Sequence, residues 1–218
     1  DLRSQRPDVL PQPPVRQRIE FAPLADDGDR NPGRPQRFLQ GAPAGQRTDV
    51  HVDEKAHLAF DELLDMTLRI GGCPTIPFTL PWPKWQFLCH LADHHDIALH
   101  GSGDPNIALF EPRQSQDLNE FGNQKAVYAA SDGLWAMFFA IVDRERVGSI
   151  TNACVRLTDA EETVHGPYYV FSISQWALAY QPWRTGTVYL LPRSTFITQS
   201  PMEFGSYQAH IAQLASFV

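Results

Sequence analysis

The strongest constraint on this chain is a break in composition near residue 50. Residues 1–50 carry eight of the 18 prolines and eight arginines, with almost no aromatic residue. Proline fixes φ and removes a backbone donor, and so few apolar side chains cannot bury a face of their own. The stretch therefore reads as an arm or linker, extended where it is ordered, and placed to contact a neighbouring domain. Residues 51–218 read as one domain. Helical spacing dominates its first half and strand-like runs its second, so the class is α+β.

Within that domain, Ala56, Ala59, Phe60, Leu63 and Leu64 recur at helical spacing until Gly71-Gly72. A second helix is expected to start near Pro83 and run through Trp85, Phe87, Leu88 and Leu91 to about His95. Ile97-Ala98-Leu99-His100 and Ala126-Val127-Tyr128-Ala129-Ala130 read as buried strands. Asp132 is the kind of residue that caps a helix, here one running through Trp135, Phe138 and Ile141. Later strands are expected over 168–173, 187–191 and 211–218. The last run stops at Val218 without a polar tail, so the domain is expected to continue past it.

Composition excludes several function classes. A net charge of −7 and no basic block on the folded part argue against a sequence-independent nucleic-acid binder. No apolar run is long enough to span a bilayer, so the chain reads as soluble, either cytoplasmic or delivered as an effector. Three widely spaced cysteines, Cys73, Cys89 and Cys154, suit reduced structural thiols. Gly101-Ser102-Gly103 is too short for a phosphate loop and lacks its lysine, which disfavours P-loop and Rossmann chemistry.

Two segments carry more. Leu99-His100-Gly101-Ser102 is a strand ending in histidine, glycine and a small hydroxyl residue. Ala126-Val127-Tyr128-Ala129-Ala130-Ser131 follows, then a helix bearing Ala136 and Phe139. Over residues 97–141 this resembles the ADP-ribosyltransferase superfamily of the diphtheria-toxin and poly(ADP-ribose) polymerase type. The resemblance implies split antiparallel sheets with N-terminal helices, NAD as substrate, and transfer of ADP-ribose to an acceptor with release of nicotinamide. It implies that the Gly101 main chain pairs with the carboxamide, that His100 bonds a ribose hydroxyl, and that Ser102 adds a polar contact. Tyr128 and Phe139 would cover the two faces of the pyridinium ring. These groups are expected to converge on one cleft, with the His100 and Tyr128 side chains on the same side of the sheet. Arg113 follows the first motif closely enough to reach a pyrophosphate, although an ion pair with Glu111 or Asp117 is as ordinary a use.

Two positions depart from the family pattern. Ala136 stands where a serine near the carboxamide is common, and Gln213 stands at the late-strand position of the catalytic glutamate. Glutamine keeps a hydrogen bond but loses the charge that steadies an oxocarbenium-like state, and Glu203 in the preceding loop is a candidate substitute. Three other readings stay open: a module that binds NAD or ADP-ribose without chemistry, an RNA 2′-phosphotransferase-like enzyme, and an interaction module with no pocket. The acceptor, whether protein, nucleic acid or small molecule, is not legible.

His90, Asp93, His94 and His95 form a further cluster. His90 and His94 share a helix face as metal pairs do, but a third ligand would have to come from elsewhere, His165 or His210 for instance. The ordinary reading is the polar end of an amphipathic helix, so no metal ligand is assigned. Trp82, Trp85 and Phe87 read as a packing corner.

Overall fold

The computed structural model describes residues 17–21, 45–46, 54–72, 74–115, 120–211 and 213–216. Among these described residues three α-helices precede most of the strands: α1 (Glu54–Ile70), α2 (Lys84–His94) and α3 (Gly133–Ile141). In α1 the buried residues Ala56, Phe60, Leu63, Leu64 and Thr67 form one stripe. Gly71 and Gly72 end the helix with φ of +72° and +71°, values that residues with a Cβ rarely adopt. Pro83 stands at the N-cap of α2, where its missing N–H costs nothing. From Gln86 to Ala92 every residue of α2 is buried, because the helix is covered on several sides.

The strands are β1 (Gln17–Phe21), β2 (Gly45–Gln46), β3 (Ile97–Ser102), β4 (Arg113–Gln114), β5 (Lys125–Ala130), β6 (Ile150–Thr158), β7 (Val164–Ile173), β8 (Gly186–Pro192), β9 (Ile197–Thr198), β10 (Met202–Phe204), β11 (Tyr207–Ile211) and β12 (Gln213–Ser216). They form two sheets, ordered β1-β8-β3-β5-β12-β9 with β4 also beside β5, and β10-β11-β6-β7-β2. Pairing between these strands is antiparallel. The chain changes sheets between β11 and β12. The protein is thus α+β with two mainly antiparallel sheets and few helices, and among the described residues no helix is long and apolar enough to cross a membrane.

β1 and β2 lie in the proline-rich arm. β1 pairs with β8 along its whole length, and Ile19 is fully buried in the main core. Burying such a side chain is worth roughly 1.5–3 kcal/mol, which adds to the β1–β8 ladder in holding a segment otherwise poor in apolar residues. Arg18 extends the anchorage, its Nε donating to Thr75 Oγ1 at 2.9 Å and its Nη1 to the Pro105 carbonyl.

α3 is the element that joins the layers. Asp132 caps it, accepting from Leu134 N at 2.8 Å and Trp135 N at 3.2 Å, while the Tyr169 hydroxyl on β7 donates to the same carboxylate. Trp135 Nε1 donates to Asn152 Oδ1 on β6, and Phe138 stacks on Phe171 of β7 at 4.7 Å between centroids. On its other side α3 lies against β3 and β8 so closely that a Cβ on Gly101 would stand 2.0 Å from the Ala136 carbonyl oxygen. A Cβ on Gly186 would meet the Ala140 carbonyl at the same distance. The small residues Gly101, Ala136, Ala140 and Gly186 set this spacing.

Candidate functional site

The three strands bearing the motif residues lie side by side, β3-β5-β12. β3 and β5 meet at the single pair Leu99↔Ala130. Beyond it they part: β3 continues against β8, with Gly101 opposite Val188 and Ser102 opposite Thr187, while the N-terminal end of β5 pairs with β4. The His100 imidazole enters the resulting gap. Its Nδ1–H donates to the Tyr128 carbonyl at 2.6 Å, satisfying a backbone acceptor on β5 that β3 does not pair with.

That bond fixes the tautomer. With the proton on Nδ1, Nε2 is an acceptor. Burial lowers the His100 pKa; the Tyr128 carbonyl opposes this, and the positive charges of Arg144 and Arg113 add to the lowering. The ring is therefore neutral at neutral pH, the state in which Nε2 can accept from a hydroxyl.

The side chains of His100 and Tyr128 leave their strands on opposite faces, contrary to the sequence expectation. Val127 and Ala129 join the cluster that includes Phe110 and Tyr189, so alternation sends Tyr128 to the face covered by α3. His100 leaves β3 on the Phe110 face, 4.8 Å from that ring. Period-two alternation across the pair Leu99↔Ala130 imposes this separation. Because strand carbonyls point in the plane of the sheet, a ring bonded to Tyr128 O sits in the gap itself and not wholly on one face.

The other positions distribute as follows. Gly101 faces α3, as does Gln213, which pairs with Ala130 and alternates with the buried Leu214 of the opposite cluster. Gly101, Tyr128 and Gln213 thus belong to one face; Phe139, on α3, is partly buried and its ring lies beside those of Trp135 and Phe138. The Tyr128 hydroxyl folds back along its own strand, donating to the Phe121 carbonyl at 2.9 Å and accepting from Gln124 N at 3.0 Å. Ser102 Oγ accepts from Asp104 N at 3.1 Å in the turn after β3. Arg113 is exposed on β4. Glu203 is exposed on β10, in the other sheet from Gln213.

Two arginines that the sequence reading passed over belong to this region. The Arg144 guanidinium lies over the Phe139 ring, 4.9 Å from its centroid, on the aromatic proposed as a ring platform. Desolvation and then the charge of Arg184 pull its pKa down, although part of the side chain remains exposed. Arg184 packs its guanidinium over Gly103, where a Cβ would stand 2.0 Å from Cζ, and its buried Nε has no hydrogen-bond partner among the described residues. No local pattern marks either residue, since both follow loops whose course is set by tertiary packing. The surface hollow lined by Glu145, Arg146, Trp176 and Tyr180 includes none of these groups.

Compared with family models, with curated proteins and with solved structures, the chain matches none.

Proposed function

We propose that the protein binds NAD at the parting of β3 and β5 and transfers ADP-ribose from it, with release of nicotinamide. The observation that carries this reading is the His100 to Tyr128 carbonyl bond at 2.6 Å, placed where β3 separates from β5 and β12 lies beside them. It supports a neutral imidazole with an accepting Nε2, suited to a ribose hydroxyl. The Gly101 main chain and the Tyr128 ring lie on one face of the sheet, an arrangement that suits a planar carboxamide-bearing ring. Arg113, Arg144 and Arg184 bring positive charge that suits a pyrophosphate.

In the proposed reaction the glycosidic bond breaks with its electron pair leaving on nicotinamide, and an acceptor nucleophile adds to the ribosyl C1′. Gln213 can hold a ribose hydroxyl but supplies no charge to the cationic ribose, so turnover is slow. The same residue favours a second reading, in which the domain binds NAD or ADP-ribose without chemistry. The arginines also suit the 2′-phosphate of an RNA, the substrate of the phosphotransferase reading.

Calorimetric titration with NAD, with ADP-ribose and with a 2′-phosphorylated oligoribonucleotide, followed by mass spectrometry for free nicotinamide, separates these readings. NAD binding with slow nicotinamide release supports transfer, and binding with none supports the second reading. Absence of binding to all three ligands overturns all three readings.

A further inference from the structure

At the far end of α2 the fold assembles four of the chain's eight histidines with one carboxylate. His57 and Asp61 stand one helical turn apart on α1. His90 and His94 do so on α2, and His95 is its C-terminal cap. The two pairs face each other. His57 Nδ1 lies 2.8 Å from His90 Nδ1, and the ring centroids of His94 lie 4.8 Å from those of His90 and 5.3 Å from those of His57. Asp61 Oδ1 accepts from His90 Nε2–H at 2.7 Å and from His95 Nε2–H at 2.8 Å.

We propose that His57, His90 and His94 bind a divalent transition-metal ion of the zinc type, clamping α1 to α2, with Asp61 as the positioning carboxylate.

The tautomer of His90 decides the geometry. Asp61 accepts a hydrogen bond from Nε2–H, so the Nδ1 lone pair of the buried His90 points at His57, with the His94 ring beside it. A carboxylate behind a ligating histidine is the usual arrangement that orients the ring and raises its basicity. Without a metal, the 2.8 Å contact is a hydrogen bond in which one Nδ1 donates to the other. A metal replaces that proton, and the displaced proton moves to His57 Nε2 or to solvent.

The ligand atoms all lie within 4.8 Å of one another. Tetrahedral zinc, with Zn–N of about 2.0–2.1 Å, needs nitrogens about 3.4 Å apart. The adjustment is a swivel of partly exposed rings: His94 is exposed and His57 half-buried, so solvent reaches the fourth position. Three imidazoles and a water suit zinc, cobalt or nickel, and not the oxygen-seeking calcium or magnesium.

Metal-free full chain titrated with Co(II), then displaced with Zn(II), tests the site by calorimetry and visible absorption. The expected result is one equivalent bound, with ligand-field bands of four-coordinate Co(II) and a melting temperature that rises with metal concentration. His94→Ala, at an exposed position, and His57→Ala are expected to abolish those bands while circular dichroism shows the fold intact. Asp61→Asn is expected to keep the bands and weaken affinity by about 10–100-fold. His210→Ala, on β11, should change nothing. No saturable binding by the unaltered chain, or binding that survives both His57→Ala and His94→Ala, overturns the proposal. The readout is independent of NAD, so the two proposals fail separately.

Discussion

His100 donates from Nδ1 to the Tyr128 carbonyl at 2.6 Å, so that a side chain on one strand occupies the place of a missing ladder bond on the next. The pair sets both the shape of the candidate site and its response to acid.

Burial holds the folded His100 below the ordinary histidine pKa. As pH falls through about 6.5 the unfolded chain takes up a proton that the folded chain refuses. This contribution to stability is therefore intact above that pH and is lost progressively towards the lower folded value. His100→Asn, whose Nδ2–H can still reach the carbonyl, should make stability less steeply pH-dependent between about pH 7.5 and 5. Urea midpoints across that range measure the slope, and an unchanged slope would mean that the ring titrates as if in water.

Gly101→Ala should be severe. Its Cβ would stand 2.0 Å from the Ala136 carbonyl oxygen and 2.7 Å from Ala140 N, both backbone atoms that side-chain rotation cannot move. Relief requires shifting α3, at a cost of about 1–3 kcal/mol or more. Denaturant unfolding should show a lowered midpoint, with NAD binding reduced as well if the main chain at 101 carries the carboxamide.

Tyr128 separates two effects. Its hydroxyl bonds Phe121 O and Gln124 N, so Tyr128→Phe should lower stability by about 1 kcal/mol and leave NAD affinity unchanged. Tyr128→Ala should also weaken NAD binding, by about 0.5–1.5 kcal/mol beyond the lost contact area. Equal affinity across all three proteins removes the ring from the site.

Gln213→Glu should raise nicotinamide release by roughly one to three powers of ten while changing NAD affinity little, because the added charge acts mainly on the cationic transition state. Single-turnover quantification of nicotinamide measures it. If Gln213→Glu shows no gain while Gln213→Ala lowers affinity, the residue lines the site and the domain only binds.

Local sequence was enough to place the helices. The stripe from Ala56 to Leu64 ends at glycines that take positive φ, Pro83 opens α2, and the Asp132 carboxylate caps α3, because capping and periodicity act within one turn of chain. The strand carrying His100 was equally legible, and so was the α+β class. Alternation could have shown that His100 and Tyr128 leave on opposite faces, had the register Leu99↔Ala130 been known, but register is a relation between strands 31 residues apart.

Only tertiary structure decided the rest. It seated Ile19 of the arm in the core, laid Arg144 over Phe139, and brought His57 and Asp61 to His90 and His94. The sequence held three of that cluster's four histidines, His90, His94 and His95, in plain view and sought its completion at His165 or His210. The partners lay on α1, 33 residues before His90 for His57 and 29 for Asp61, because the aromatic packing of Phe60 on Phe87, and not spacing along the chain, fixes how the two helices meet. Short-range chemistry is written in neighbouring residues; the meeting of distant ones is set by which faces must leave water together.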